Sequence, residues 1–308
     1  MERCDFLPVS AEEMHERGWW WYDALVVGGD AYVDHPSFGT AVISRVLEAE
    51  GLRVAVLAQP DWHDAEAFRA MGRPRLGVFI GAGNLDSMVA HYTAAKRRRS
   101  EDFYSPGKRT GCRPDRAAIV YCNRAREAFG PDVPIILGSL EASLRRFAHY
   151  DYWDDSVRRA ILFDAPADLL VYGMGEAATI EIAHRLKKKQ SVHTMTDIPG
   201  TGYITRDPSV CKFDHITLPS FEDVRDDKRL YAEATRTEYA EHDPIRGRAM
   251  IQPCEGRYLI INPPAMPLDT KELDRVAELP YTREWHPMYE PLGGVPAIEE
   301  VRFSVIHN

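Results

Sequence analysis

The chain has 308 residues, 44% of them hydrophobic and 28% charged, with a formal charge of −9 and a sequence pI near 5.7. This is enough apolar content for one large or two modest globular domains, and the acidic balance excludes a general affinity for nucleic acid or anionic membrane, which needs a basic surface. No stretch approaches the roughly 18 consecutive apolar residues of a membrane span, and the start MERCDFLPVSAEEM lacks the basic and apolar sections of a signal peptide, so a cytoplasmic protein is expected.

From about Asp23 to Lys189, short apolar runs alternate with helical patterns, the order that builds a parallel sheet covered by helices. The runs Ala24 to Gly29, Arg53 to Pro60, Leu76 to Gly83, Pro134 to Ser139 and Asp168 to Gly173 predict five strands. Between them, Ser37 to Glu50 carries apolar residues at Ala41, Val42, Val46 and Leu47 and stops at Gly51, which predicts a helix with Ser37 as its N-cap. Asp115 to Phe129 and Glu176 to Leu186 show similar helical spacing, and Lys96 to Arg99 reads as a solvated basic run after a helix.

Beyond Lys189 the pattern changes. Asp197 to Pro208 reads as turns and short strands, Arg225 to His242 as a charged helix, and Arg257 to Val276 as a strand, a proline-rich bend and a helix beginning at Thr270. Pro280 to Pro296 reads as an extended connector, and EVRFSVIHN, from Glu300 to Asn308, has the period-two alternation of a strand. The expected fold is α/β: a doubly wound, mainly parallel five-stranded sheet over residues 1–190, a small α+β linker region over 191–296, and a final strand over 297–308.

Ligands of such folds bind at the C-terminal edge of the parallel sheet. Every predicted strand but the second runs there into a glycine-containing loop. The candidate ligand edge comprises Gly28, Gly29, Asp30, His35, Ser37, Gly39, Gly81, Asn84, Gly138, Glu141, Gly173, Gly175 and Glu176. Glycines let backbone turn tightly and approach a ligand, and helix N-termini offer free N–H groups. Each residue also has a plainer reading: Glu176 suits the positive end of its helix, Asp86 and Ser87 start a helix, and His35 stabilises a loop. The densest stretch, Gly138 to Arg159, sets Glu141, Arg145, Arg146 and His149 among Phe147, Tyr150, Tyr152 and Trp153. It fits an acid–base or cofactor-facing surface, a salt-bridged loop, or an interdomain contact. The five cysteines, Cys4, Cys112, Cys122, Cys211 and Cys254, are scattered and form no CxxC pair, so neither a disulfide framework nor a metal site is written in their spacing. Ser-His-Asp elbows, HExxH and EF-hand loops are all absent.

Together, GDAYVDHPSFG, AQPDW, GNLDSM, ILGSLEASLRR, AHYDYW, GMGE, INPPAMPL and IEEVRFSV resemble the N-terminal region of the YgiQ-like radical-SAM proteins, from about Phe6 to the last residue. One departure is Ser139, where that family tends to have glycine. The order of features is also similar to the cobalamin-binding-type domain that precedes many radical-SAM barrels. Cobalamin is weakly implied, because the Asp-x-His-x-x-Gly motif is not matched around His35: Val33 stands two residues before it and Gly39 falls one place late. The resemblance implies that the final strand is the first of a radical-SAM barrel and that a Cys-x-x-x-Cys-x-x-Cys loop for a [4Fe–4S] cluster and S-adenosylmethionine follows it. The chain is thus expected to be an accessory region that stops short of that loop, inactive alone, with the missing barrel as its partner and an unidentified substrate. A cobalamin- or ligand-binding module and a structural cover for the barrel, with HYDYWDD as the contact, are the alternatives.

Overall fold

The computed structural model describes residues 5–302. Its strands are β1 (Ala24–Gly28), β2 (Val54–Ala58), β3 (Gly77–Ile80), β4 (Ile135–Leu137), β5 (His149–Asp151), β6 (Ser156–Arg158), β7 (Leu169–Val171), β8 (Thr201–Thr205), β9 (His215–Thr217), β10 (Ala249–Cys254) and β11 (Arg257–Ile261). Its helices are α1 (Ala11–Glu16), α2 (Gly39–Ala49), α3 (Glu66–Ala70), α4 (Ser87–His91), α5 (Ala117–Phe129), α6 (Ser139–Leu144), α7 (Glu176–Lys187), α8 (Phe221–Asp226), α9 (Lys228–Ala240) and α10 (Thr270–Ala277).

The five apolar runs become β1, β2, β3, β4 and β7, all parallel, in the order β2-β1-β3-β4-β7. They read as unbroken apolar runs because both faces of the sheet are covered. Alternate residues feed two separate cores. Leu25, Val27, Val78, Ile80, Ile135 and Leu137 pack toward α5, and Ala24, Val26, Phe79, Ile136, Leu169 and Val171 pack toward α2 and α7.

The expected five-stranded sheet is nine-stranded. β8 pairs antiparallel with β7, matching Leu170 to Gly202 and Val171 to Thr201, and β11, β10 and β9 follow. A sheet ending at β7 would leave a row of backbone N–H and C=O groups unpaired at its edge. The segment after residue 190 satisfies that row, so the short strands expected in a separate linker region instead continue the same sheet. β5 and β6 form a separate antiparallel hairpin.

Two local expectations are also corrected. The N-cap of α2 is Phe38, with no side-chain bond of its own, rather than Ser37. Asn84 caps the helix from another loop: Gly39 N–H donates to Asn84 Oδ1 at 3.1 Å, and Asn84 Nδ2 donates to Ser37 O at 2.8 Å. The final strand does not begin at Ala297, because Pro296–Glu300 is a 3₁₀ turn. Proline at its start presets a helical φ, and the Ala297 N–H donates to Phe103 O. The remainder of that predicted strand, residues 303–308, lies outside the described residues.

Candidate functional site

The chain leaves β1 through α2 to β2 on one side, then crosses back to β3 on the other side of β1. Connections diverge at such a switch point, and a crevice opens beyond the carboxyl ends of the two strands. A cleft of about 300 Å³ lies there. Val26, Phe79, Ile136 and Val171 from the strand ends form an apolar floor, with Thr40 and Ile43 of α2 and Glu176 and Thr179 of α7 among the walls. Apolar walls with few polar groups suit a flat, mainly apolar ligand.

Seven of the thirteen sequence candidates line this cleft: Ser37, Gly39, Gly81, Gly138, Gly173, Gly175 and Glu176. Gly28, Gly29, Asp30, His35, Asn84 and Glu141 do not, and each has a structural duty. A Cβ on Gly29 would stand 2.0 Å from Ala82 O, and one on Gly28 would stand 2.5 Å from Thr40 Oγ1. Those two glycines let the loop after β1 pack on the loop after β3 and on α2.

Asp30 is buried in an ion cluster. Arg113 donates to Asp30 Oδ1 at 2.6 Å and to Asp102 Oδ2 at 2.7 Å, while Asn84 N–H donates to Asp30 Oδ2 at 2.6 Å. Burial pushes the Asp30 carboxyl up to about 6 despite the guanidinium, and Asp102 adds to that rise, since one cation faces two carboxylates. The folded pKa thus lies above the unfolded value near 3.9. The stabilisation linked to this proton is fully present below about pH 4 and is lost as pH rises through about 6, worth roughly 3 kcal/mol for a two-unit shift. Melting temperatures measured from pH 4 to 7.5 are therefore expected to fall more steeply for the natural protein than for Asp30→Asn; equal slopes would refute the assignment.

Glu141 is fully buried and joins two helix starts. Ser87 N–H of α4 donates to its Oε2 at 2.9 Å, and Ala118 N–H of α5 donates to its Oε1 at 3.1 Å. Asp86 is the N-cap of α4, accepting from Met88 and Val89, and Arg145 pairs with it. Burial raises the Glu141 pKa, and the neighbouring Asp86 charge raises it further.

His35 is buried, accepts the Ser37 N–H on Nδ1 at 3.1 Å and packs edge-on against Phe38. Burial and the Arg283 charge lower its pKa. Accepting on Nδ1 leaves the proton of the neutral ring on Nε2, so with no free lone pair and a place outside the cleft lining it does not fit the part of an axial cobalamin ligand. Glu176 differs from every other candidate. Its Oε2 is buried at the cleft, at the first position of α7, without a hydrogen-bond partner. The Tyr281 hydroxyl is likewise buried and unpartnered; burial pushes its pKa up, with the Glu176 charge a smaller contributor.

The aromatic stretch 147–159 forms the β5–β6 hairpin. Arg116 bonds Asp151 and Asp154, the Tyr152 hydroxyl donates to Ala94 O, and Lys96 lies 4.7 Å over the Tyr152 ring. The run Lys96 to Arg99 is thus part of a folded-back loop in which Arg98 bridges Tyr92, rather than a free helix end. Among the described residues no group of three His, Cys, Asp or Glu side chains converges as a metal site. Cys122 is buried with its thiol pKa raised, and burial pushes Cys254 up to about 12. These thiols do not fit a three-thiolate iron–sulfur loop. Sequence reasoning missed Arg113 and Asp102, which sit in irregular loops where no periodicity marks them.

Residues 6–304 match the family described as radical SAM N-terminal. The chain belongs to that family. It is 53% identical over 305 residues to a UPF0313 protein of Clostridium botulinum (strain 657 / Type Ba4), covering 99% of this chain and 47% of that protein. It is 52% identical over 308 residues to a UPF0313 protein of Clostridium perfringens (strain 13 / Type A), covering 100% of this chain and 46% of the relative. The chain therefore spans about half the length of these curated relatives. Among solved structures, the radical S-adenosylmethionine methyltransferase TsrM of Kitasatospora setae aligns at a TM-score of 0.36 and 20% identity, over 58% of this chain and 28% of that one. Within this radical-SAM N-terminal chain Ser139 has a positive φ of 73°, a backbone region that glycine adopts without strain. Serine keeps the strained φ while its Oγ accepts the Ala82 N–H at 3.1 Å. Among the described residues no helix is long and apolar enough to cross a membrane.

Proposed function

We propose that the chain is the accessory region of a YgiQ-like radical-SAM protein and that its switch-point cleft receives a flat, mainly apolar ligand carrying a hydrogen-bond donor. In the intact protein a [4Fe–4S] cluster would supply reductive cleavage of S-adenosylmethionine, from the half that lies beyond this chain. The residues here hold no cluster and initiate no radical chemistry alone; their part is to bind and orient. The carrying observation is the orphaned Glu176 Oε2 at a mainly apolar cleft, since a buried carboxylate oxygen without a donor is unfavourable until one arrives. Equilibrium dialysis against hydroxocobalamin, adenine and indole tests this. At least one is expected to be retained, with affinity about tenfold weaker in Glu176→Gln, which loses the charge-assisted bond. No retention of any probe by the natural protein would overturn the cleft as a ligand site.

A second reading is favoured by the exposed Leu140, Leu144, Met174 and Met266, which stand 45%, 59%, 55% and 62% exposed around the same sheet edge. An apolar surface beside a ligand cleft is the kind that a second domain covers, and the C-terminal half of the longer relatives is its proposed occupant. The hairpin HYDYWDD, whose polar groups are already engaged within this chain by Arg116, Ala94 and Tyr231, is the weaker contact. Leu144→Glu with Met266→Glu in a full-length relative is expected to loosen the two halves, seen as earlier proteolytic separation, and unchanged cleavage would count against this contact.

A further inference from the structure

At the opposite, N-terminal edge of the sheet the chain enters β1 through three consecutive tryptophans, Trp19, Trp20 and Trp21. Arginines from three separate segments interleave with them. Arg17 lies 5.8 Å from the Trp19 ring centre and Arg53 5.6 Å from it; Arg53 also covers Trp21 at 4.0 Å, and Arg75 covers Trp21 at 3.5 Å. The connectivity is an alternating row, Arg17–Trp19–Arg53–Trp21–Arg75. Among the described residues, none of the three guanidinium groups pairs with a carboxylate within 4.0 Å. Arg17 donates to Phe6 O and feels the charge of Glu13 one helical turn before it, and Asp23 accepts the backbone N–H of Arg53 at 2.9 Å.

Beside the row Trp20 stands 79% exposed, with the His15 ring 4.6 Å away. Fold stability alone does not ask for an indole in water. Arg75 also lines a groove of about 600 Å³ that continues along this edge past Lys187, Lys189 and His193, with Asp23, Asp132 and Asp168 as its acids. Asp168 is already paired with Arg126 at 2.8 Å. In a chain of charge −9, this is a local concentration of unpaired cations and an open aromatic face.

We propose that this edge binds single-stranded nucleic acid. An exposed indole is a stacking platform for one base, tolerant of sequence because every base has a π-face. Guanidinium groups held over indoles, without a carboxylate partner, keep N–H donors for phosphate oxygens. The groove then supplies lysines for the backbone that follows. Because the row is preassembled from three segments, little side-chain freedom remains to be lost on binding. The general exclusion drawn from net charge stands for the rest of the surface. An acidic protein is the competing partner, since tryptophan and arginine also dominate protein interfaces.

The test is a titration of the full 308-residue chain with a fluorescein-labelled 15-mer oligouridylate, at low and physiological salt, and with polyglutamate as the competing probe. Saturable binding that quenches tryptophan emission and weakens as salt rises is expected. Trp20→Ala, a surface change, should weaken binding about tenfold and remove most of the quench. Arg53→Ala with Arg75→Ala should weaken it further and flatten the salt dependence, with Lys228→Ala on α9, which packs against β10 and the β5–β6 hairpin, as the unchanged control. Melting temperature separates loss of binding from loss of fold; if the arginine pair unfolds the chain, Lys187→Glu with Lys189→Glu in the groove takes its place. Absence of oligouridylate binding at 50 mM salt would overturn the proposal, and so would polyglutamate binding as tightly with the same dependence on Trp20.

Discussion

Replacing Arg113 with alanine is expected to destabilise the protein by about 3–5 kcal/mol, because it removes the one cation between two buried carboxylates. Arg113 is 1% exposed, and Asp30 and Asp102 are each 4% exposed. Without the guanidinium, both acids would face one another in low dielectric with only backbone and hydroxyl donors left. Those are Asn84 N–H for Asp30 and, for Asp102, the Ser105 hydroxyl and Tyr104 N–H. For a chain of this size the loss corresponds to a melting temperature lower by about 10 °C. Breaking such a cluster and replacing it have different consequences. The triple variant Arg113→Met, Asp30→Asn, Asp102→Asn leaves no uncompensated charge and is expected to recover much of the loss. Chemical denaturation of the two variants decides the matter: if the single and triple variants were equally unstable, packing around Arg113 rather than charge would be the cause.

This cluster also marks what a sequence can and cannot carry. The strands β1 to β4 and β7 were legible because both their faces are buried, so hydrophobic residues run without interruption and stop at glycine or, after β2, at proline. The strands β8 to β11 were not seen as part of that sheet. Pairing with β7 is decided by an unsatisfied edge distant in sequence, which leaves no local period behind. Glycine-rich loops were legible as special positions, yet their purpose was not. Gly29 is glycine because Ala82 O occupies the space its side chain would need, a fact that belongs to residues more than fifty positions apart.

The site was half legible for the same reason. Titratable residues at strand ends could be enumerated, but which of them face a ligand depends on partners far along the chain. Asp30 is claimed by Arg113, and Glu141 by Ser87 and Ala118, whereas Glu176 has an oxygen left over. The tryptophans at 19–21 carry no period or motif that marks a site; only the fold brings the arginines of residues 17, 53 and 75 over Trp19 and Trp21 and leaves Trp20 exposed.

Glu141→Ala is the second large effect expected. Each of its carboxylate oxygens accepts a helix-start N–H, and hydrogen bonds to a charged acceptor contribute about 1.5–3 kcal/mol apiece. Burial and the Asp86 charge raise the Glu141 pKa, so the ionised form carries a desolvation penalty, and relief of that penalty on removal offsets part of the loss. The net effect is about 3 kcal/mol, with the N–H groups of Ser87 and Ala118 left buried and unpaired. Glu141→Gln separates capping from packing. It keeps the volume, but an amide has one acceptor oxygen and turns an NH₂ toward the other donor, so it should restore less than half of the stability. Amide hydrogen exchange at Ser87 and Ala118 reads this directly. Both amides should exchange faster in Glu141→Ala, and only one of them should stay protected in Glu141→Gln. If both stayed protected in the alanine variant, water or Asp86 would have taken over the caps, and Glu141 would be free for the ligand role that its place beyond β4 first suggested.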